Sequence, residues 1–146
     1  MEQEIIQLLD PNLKCTDYRI KQNKIIMEIQ STKKEVECPY CHILSTKIHS
    51  IYQREIQDIP LHDKQTILLL RTRKMFCSNS FCKHKTFAER FDFVCPQSKK
   101  TNRLIEKILM TSVKLSSISA SSLLKKESVQ ICKSSICDMI KKNTIN

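Results

Sequence analysis

The sequence predicts an α+β chain in which a small β-rich unit built on four cysteines is followed by three helices. Three observations predict it. Two cysteine pairs, Cys38 with Cys41 and Cys77 with Cys82, stand at the ends of strand-like runs. Residues up to about 96 alternate in β-branched segments, and beyond them the apolar period changes to 3.6. Strands followed by clustered helices imply two units, not an alternating α/β sheet.

The elements follow in chain order. Glu2 to Leu9 sets Ile5, Ile6, Leu8 and Leu9 to one side ahead of Pro11, as a short amphipathic helix does. Cys15 to Ile20 and Lys24 to Gln30 read as a hairpin with its turn at Gln22 and Asn23. Two short strand-like runs, Thr46 to His49 and Tyr52 to Ile56, are closed by Asp58 to Asp63. Gln65 to Phe76 is the strongest strand signal, with Ile67 to Leu70 apolar on both faces and Arg71, Arg73 and Lys74 at its end. That strand delivers the chain to Cys77.

Leu104, Ile105, Ile108 and Leu109 form a helical stripe over about Thr101 to Thr111. Ser116 or Ser117 caps a second predicted helix holding Ile118, Ala120, Leu123 and Leu124. A third contains Ile136 and Ile140 and ends near Lys142. The expected division is 1–37 for the N-terminal helix and hairpin, 38–96 for the cysteine unit and 97–146 for the helical region.

The cysteines carry the chemistry. Zinc takes four soft ligands at tetrahedral corners, and a two-residue gap lets both thiolates of one turn face the same point. Cys38 and Cys41 have that gap, Cys77 and Cys82 have four intervening residues, and 35 residues separate the pairs. The expectation is a zinc-ribbon-like unit with one structural zinc on Cys38, Cys41, Cys77 and Cys82. A redox dithiol or unliganded buried thiols are the alternatives, and no βαβ context supports the redox one. Four thiolates leave no open position for water, which argues against catalytic zinc. His84 and His42 are the only nearby substitutes as ligands. Cys132 and Cys137 are five apart, diverge on a helix and are expected to be buried side chains, while Cys15 and Cys95 are expected to pack.

The charge points to partners. The net charge is +10, with 15 basic and 12 acidic residues in 1–98 against 10 and 3 in 99–146. Such a field attracts polyanions, nucleic acid first. No apolar stretch is long enough to span a membrane, and acidic residues before Pro11 do not suit a signal peptide, so a cytoplasmic location is expected, where free thiols outnumber disulfides. The chain has no Gly, so turns with positive φ must use Asn, Asp, Ser, His or Lys.

Cys38-Pro39-Tyr40-Cys41, His49-Ser50, Tyr52-Gln53-Arg54, Asp58-Ile59-Pro60, Arg71 to Cys77, Asn79, Cys82 and Phe87-Ala88-Glu89-Arg90 together resemble the N-terminal zinc region of bacterial insertion-sequence transposases of the ISL-three family. Thr101-Asn102-Arg103-Leu104 and Ile131 to Lys142 are similar to the entry helix and recognition helix that follow it there. The resemblance implies a three-helix helix-turn-helix, with Lys133, Ser134 and Ser135 facing bases and Lys125, Lys126, Lys141 and Lys142 meeting phosphates. Arg71, Arg73, Lys74, Lys83 and Lys85 would extend the footprint from the zinc unit. It further implies double-stranded DNA at terminal inverted repeats as partner, and location on the nucleoid when bound.

Departures from the family pattern are His42 in place of Gly and Leu61-His62-Asp63 in place of an aromatic and Gly loop. The family's three-carboxylate nuclease domain has no counterpart before Asn146, and Asp58, Asp63 and Glu89 are too scattered for a two-metal site, so no enzymatic activity is expected of this chain. The alternatives are a zinc-stabilised regulator that pairs with full-length transposase or with itself, and a decayed remnant.

Overall fold

The computed structural model describes residues 2–114 and 122–125. Within them, helix α1 (Glu2–Leu9) leads to strands β1 (Leu13–Lys21), β2 (Lys24–Ser31), β3 (Val36–Glu37), β4 (Leu44–Ser45), β5 (Ile48–Leu61), β6 (Lys64–Phe76) and β7 (Thr86–Ala88), and then to helix α2 (Asn102–Lys114). Five strands form one sheet in the order β1-β2-β6-β5, with β7 also on β6. The pair β3-β4 is a separate ribbon.

Strand β6 lies inside the sheet, and burial along its first nine residues alternates with period 2. Thr66, Leu68, Leu70 and Thr72 are buried on one face, as a half-covered strand requires. On one side β6 pairs antiparallel with β5 through nearly its whole length. On the other, β2 runs parallel to it from Gln65 to Arg71, and β7 takes over that same edge antiparallel at Lys74 to Phe76. The N-terminal hairpin is therefore an integral half of the sheet.

The main core lies on one face, where Ile6 of α1, Leu13, Ile25, Met27, Ile29, Ile56, Leu68 and Leu70 meet Phe93 and Val94. A second, smaller cluster of Val36, Cys38, Met75 and Phe87 has the other three ribbon cysteines, Cys41, Cys77 and Cys82, packed against it.

The expected architecture is corrected in two respects. The β part is not a small ribbon unit: the two short runs predicted at Thr46 to His49 and Tyr52 to Ile56 are one 14-residue strand, β5, with Asp58 to Leu61 inside it. Strand exceeds helix among the described residues, and the helices are three short ones, with 122–125 the third, instead of a β unit followed by a three-helix helix-turn-helix. The physical reason is that α2 is fastened to the sheet. Thr101 Oγ1 accepts from Leu104 N at 3.3 Å, capping the helix, and donates to Asp58 Oδ1 at 2.8 Å. Arg103 forms a fork on the same carboxylate, Nε to Oδ1 at 2.8 Å and Nη2 to Oδ2. Gln57 adds backbone bonds, N to Lys99 O at 2.8 Å and O from Thr101 N at 3.0 Å. The predicted second and third helices fall largely or wholly outside the described residues.

Candidate metal centre

Each cysteine pair sits where two strands end. The ribbon β3-β4 pairs Val36 with Ser45 and Glu37 with Leu44, and the turn between them carries Cys38 and Cys41. Strand β6 runs into Cys77, and β7 returns after Cys82. The turns are closed by their own backbone: His42 N donates to Cys38 O at 2.8 Å, Cys38 N to Ile43 O at 3.0 Å, Cys82 N to Asn79 O at 3.1 Å and Cys77 N to Lys85 O at 2.8 Å. Serines lace the two turns together. Ser78 N donates to Ser45 Oγ at 3.0 Å, and Ser78 Oγ to Leu44 O at 2.9 Å.

The result is a cluster of four thiols. The Sγ atoms of Cys38, Cys41, Cys77 and Cys82 all lie within 4.8 Å of one another, and Cys41 and Cys77 approach to 3.5 Å. A tetrahedral zinc with Zn–S near 2.3 Å needs sulfur–sulfur edges of about 3.8 Å, so the site accepts the ion with little movement. The donor set fits one structural zinc ion. Coordination by Cys38, Cys41, Cys77 and Cys82 would leave no position for water, so the ion would hold the two turns together and supply no hydrolytic chemistry.

Neither histidine belongs to the set. His42 Nδ1 lies 3.1 Å from Glu37 Oε1, and His84 stacks on Tyr40 with ring centroids 3.6 Å apart. His42 has φ 65°, a left-handed value that the tight turn demands and that Gly adopts without a steric penalty. His42→Gly is therefore expected to stabilise the zinc-loaded chain by about 1 kcal/mol, read as a raised urea midpoint. Among the described residues the other positive-φ positions are Gln22, His62, Asp63 and Gln97, so glutamine also takes this role in a chain without Gly.

The thiols share protons unequally. A backbone hydrogen bond from Ile43, joined by thiols and Asn79, lowers Cys41 to about 6 despite burial. At Cys77 the Asn79 backbone pulls downward, but burial and the neighbouring thiols outweigh it and push the group up to about 12. Cys82 is likewise raised: the His84 backbone lowers it, and burial with the Cys41 contact prevails. Both raised groups hold protons in the metal-free fold at neutral pH, and zinc must displace them. Zinc affinity is thus expected to rise with pH, about tenfold per unit for each proton released, and to fall more steeply below about pH 6 as Cys41 also protonates. Competition with a chromophoric chelator across pH 5.5 to 8 measures this.

Four cysteines on two strand-end turns define a zinc ribbon. Residues 34–82, which take in all four, match the family model described as the zinc-finger of transposase IS204/IS1001/IS1096/IS1165. What the match covers is a zinc ribbon, not a catalytic domain. No curated protein and no solved structure matches the chain. No helix of the described residues is long and apolar enough to cross a membrane.

The other predicted site residues separate. Arg71 is exposed, its Nη1 3.4 Å from Gln30 Oε1, and Lys74 is half-buried on β6. Arg73 is engaged internally, with Nε and Nη2 at 3.0 and 2.6 Å from the two oxygens of buried Glu89. Lys125 is exposed in the short helical stretch, while Lys126, Lys133, Ser134, Ser135, Lys141, Lys142, Cys132 and Cys137 lie outside the described residues. Cys15 packs against the main core as expected, but Cys95 is exposed, its Sγ 3.5 Å from Asn102 Oδ1. Sequence reasoning missed the Ser45–Ser78 lacing and the Tyr40–His84 stack. Their partners are over thirty residues apart, and no local spacing announces them.

Proposed function

We propose that this chain is the zinc-stabilised, DNA-binding N-terminal part of an insertion-sequence transposase, recognising double-stranded DNA at the terminal inverted repeats of its element. The observation that carries this reading is a set of exposed cations around a ribbon of transposase type. Lys47, Lys83 and Lys85 flank the two turns and Arg71 lies further back on β6, opposite Gln30 and Gln53, none paired with a carboxylate among the described residues. Zinc fixes the turns, so these charges are held at set positions without the ordering cost that a flexible loop would incur. Lys74 adds to the same end of β6. In this reading Lys133, Ser134 and Ser135 read base edges, and Lys125, Lys126, Lys141 and Lys142 contact phosphates.

The test is a mobility shift on duplex terminal-repeat DNA at several salt concentrations. With about five phosphates engaged, log affinity against log salt is expected to fall with a slope of about −4.5. A slope near zero contradicts the reading. The second reading, a regulator that pairs with full-length transposase or a second copy of this chain, is favoured by exposed Ile43, Leu44 and Phe81 on the ribbon. Co-purification with the longer protein, with duplex left unbound, would select it.

A further inference from the structure

A cleft of about 410 Å³ opens between the ribbon and the sheet. Its floor is Tyr52 and Arg54, two apart on β5 and so on one face. One wall comes from Tyr40 of the first cysteine turn with Glu89 and Arg90 after β7; the other is the loop holding Gln97. That second wall is fastened, because Arg54 Nη2 donates to Cys95 O at 3.0 Å and to Ser98 O at 2.9 Å.

The chemistry of the lining is specific. Glu89 is neutralised by Arg73, so the cleft carries no free carboxylate. Arg54 is bound to carbonyl groups, which leave its positive charge uncompensated. Arg90 stands 5.5 Å from the Tyr40 ring centroid and has no carboxylate partner among the described residues. Tyr52 is 43% exposed and stacks on no ring among the described residues. A bare aromatic face, two guanidinium groups and a volume suited to one small ligand match a flat anion: a base with its phosphate. A base inside a duplex is covered on both faces by its neighbours and cannot stack here.

We propose that this cleft binds one unpaired nucleotide, the base stacked on Tyr52, its phosphate on Arg90 and its edge toward Gln97. For the source of that nucleotide the inference rests on the DNA-binding function proposed above, though its chemistry does not. Strand ends and distorted duplex would present such a nucleotide; intact duplex would not.

The test uses the zinc-loaded full chain and a short fluorescein-labelled oligothymidylate, which forms no duplex, beside fully paired terminal-repeat DNA. Tyr52→Ala is expected to weaken oligothymidylate binding at least about fivefold, the lower end for loss of one stacked base, and to leave duplex affinity unchanged. Tyr52→Phe keeps the ring and is expected to keep the affinity. Arg90→Gln is expected to reduce the single-strand salt slope by about 0.7. The one-zinc mass of each variant separates lost stacking from lost fold. Wild-type failure to bind oligothymidylate, or a Tyr52→Ala variant that binds it normally, overturns the inference. Tyr52-dependent oligothymidylate binding without duplex binding upholds the cleft and rejects the terminal-repeat function instead.

Discussion

Cys77→Ser is expected to abolish zinc binding and unfold the ribbon while the sheet between α1 and Arg71 stays folded. The two apolar clusters are distinct. The main one holds Ile6, Leu13, Ile25, Met27, Ile29, Ile56, Leu68, Leu70, Phe93 and Val94, none of them a ligand. The ribbon has Val36, Met75 and Phe87 buried around the ligand Cys38, with the other three cysteines packed against them. Burying such side chains contributes about 1.5–3 kcal/mol each, whereas ordering each residue of the two turns costs about 1–2 kcal/mol. Metal binding, on the order of 10 kcal/mol in small zinc units, must close the difference. Hydrogen exchange reads the outcome: the amides of Cys38, His42, Cys77 and Cys82, all bonded within the turns, should lose protection. The Leu68 and Leu70 amides should keep theirs. Protection retained in the turns would contradict this, as would loss throughout the sheet.

Glu89→Ala is expected to cost about 3 kcal/mol in urea denaturation, the lower end for a buried pair, because it leaves a largely buried guanidinium without its counter-charge. The Arg73 and Glu89 side chains are 15% and 4% exposed, and both carboxylate oxygens accept from the arginine. Glu89 N also donates to Arg73 O at 2.9 Å, so the pair fastens the end of β7 to β6. Replacing both by apolar residues of similar volume should recover most of the loss, since a removed pair leaves no orphaned charge. Arg73 is consequently expected to act on stability. Arg73→Ala should lower the urea midpoint and leave the salt slope of duplex binding unchanged, and a cost below about 1 kcal/mol for Glu89→Ala would show the pair to be as weak as a surface one.

What could be read from the sequence is what local chemistry determines. Helix α1 is found at Glu2–Leu9 as its apolar stripe predicts, and the β1-β2 hairpin turns at Gln22 and Asn23. The cysteine spacing identifies four thiols that do converge, because the two-residue and four-residue gaps encode tight turns wherever the strands run. His42 at positive φ follows from the same turn geometry. Long-range pairing is where the reading failed. The polar breaks around His49 to Ile51 and at Asp58 look like strand ends, yet β5 runs through both, with shifts in register there. The parallel match of β2 to β6 leaves no trace in either segment's own alternation.

The partners of charged residues were hidden for a related reason. An arginine reads as solvent-facing, and its buried partner, Glu89 for Arg73 or Asp58 for Arg103, lies 16 or 45 residues away. Asp58 illustrates the consequence. Taken as part of a closing loop, it is in fact a nearly fully buried acceptor of Thr101 and Arg103, and it ties α2 to the sheet.

Native mass spectrometry of the purified chain, with and without a chelator, tests the central claim most directly. One zinc ion per chain is expected, released by chelator together with hydrogen-exchange protection of the two cysteine turns and absent from Cys77→Ser. A chain that carries no metal and still protects those turns would contradict the account.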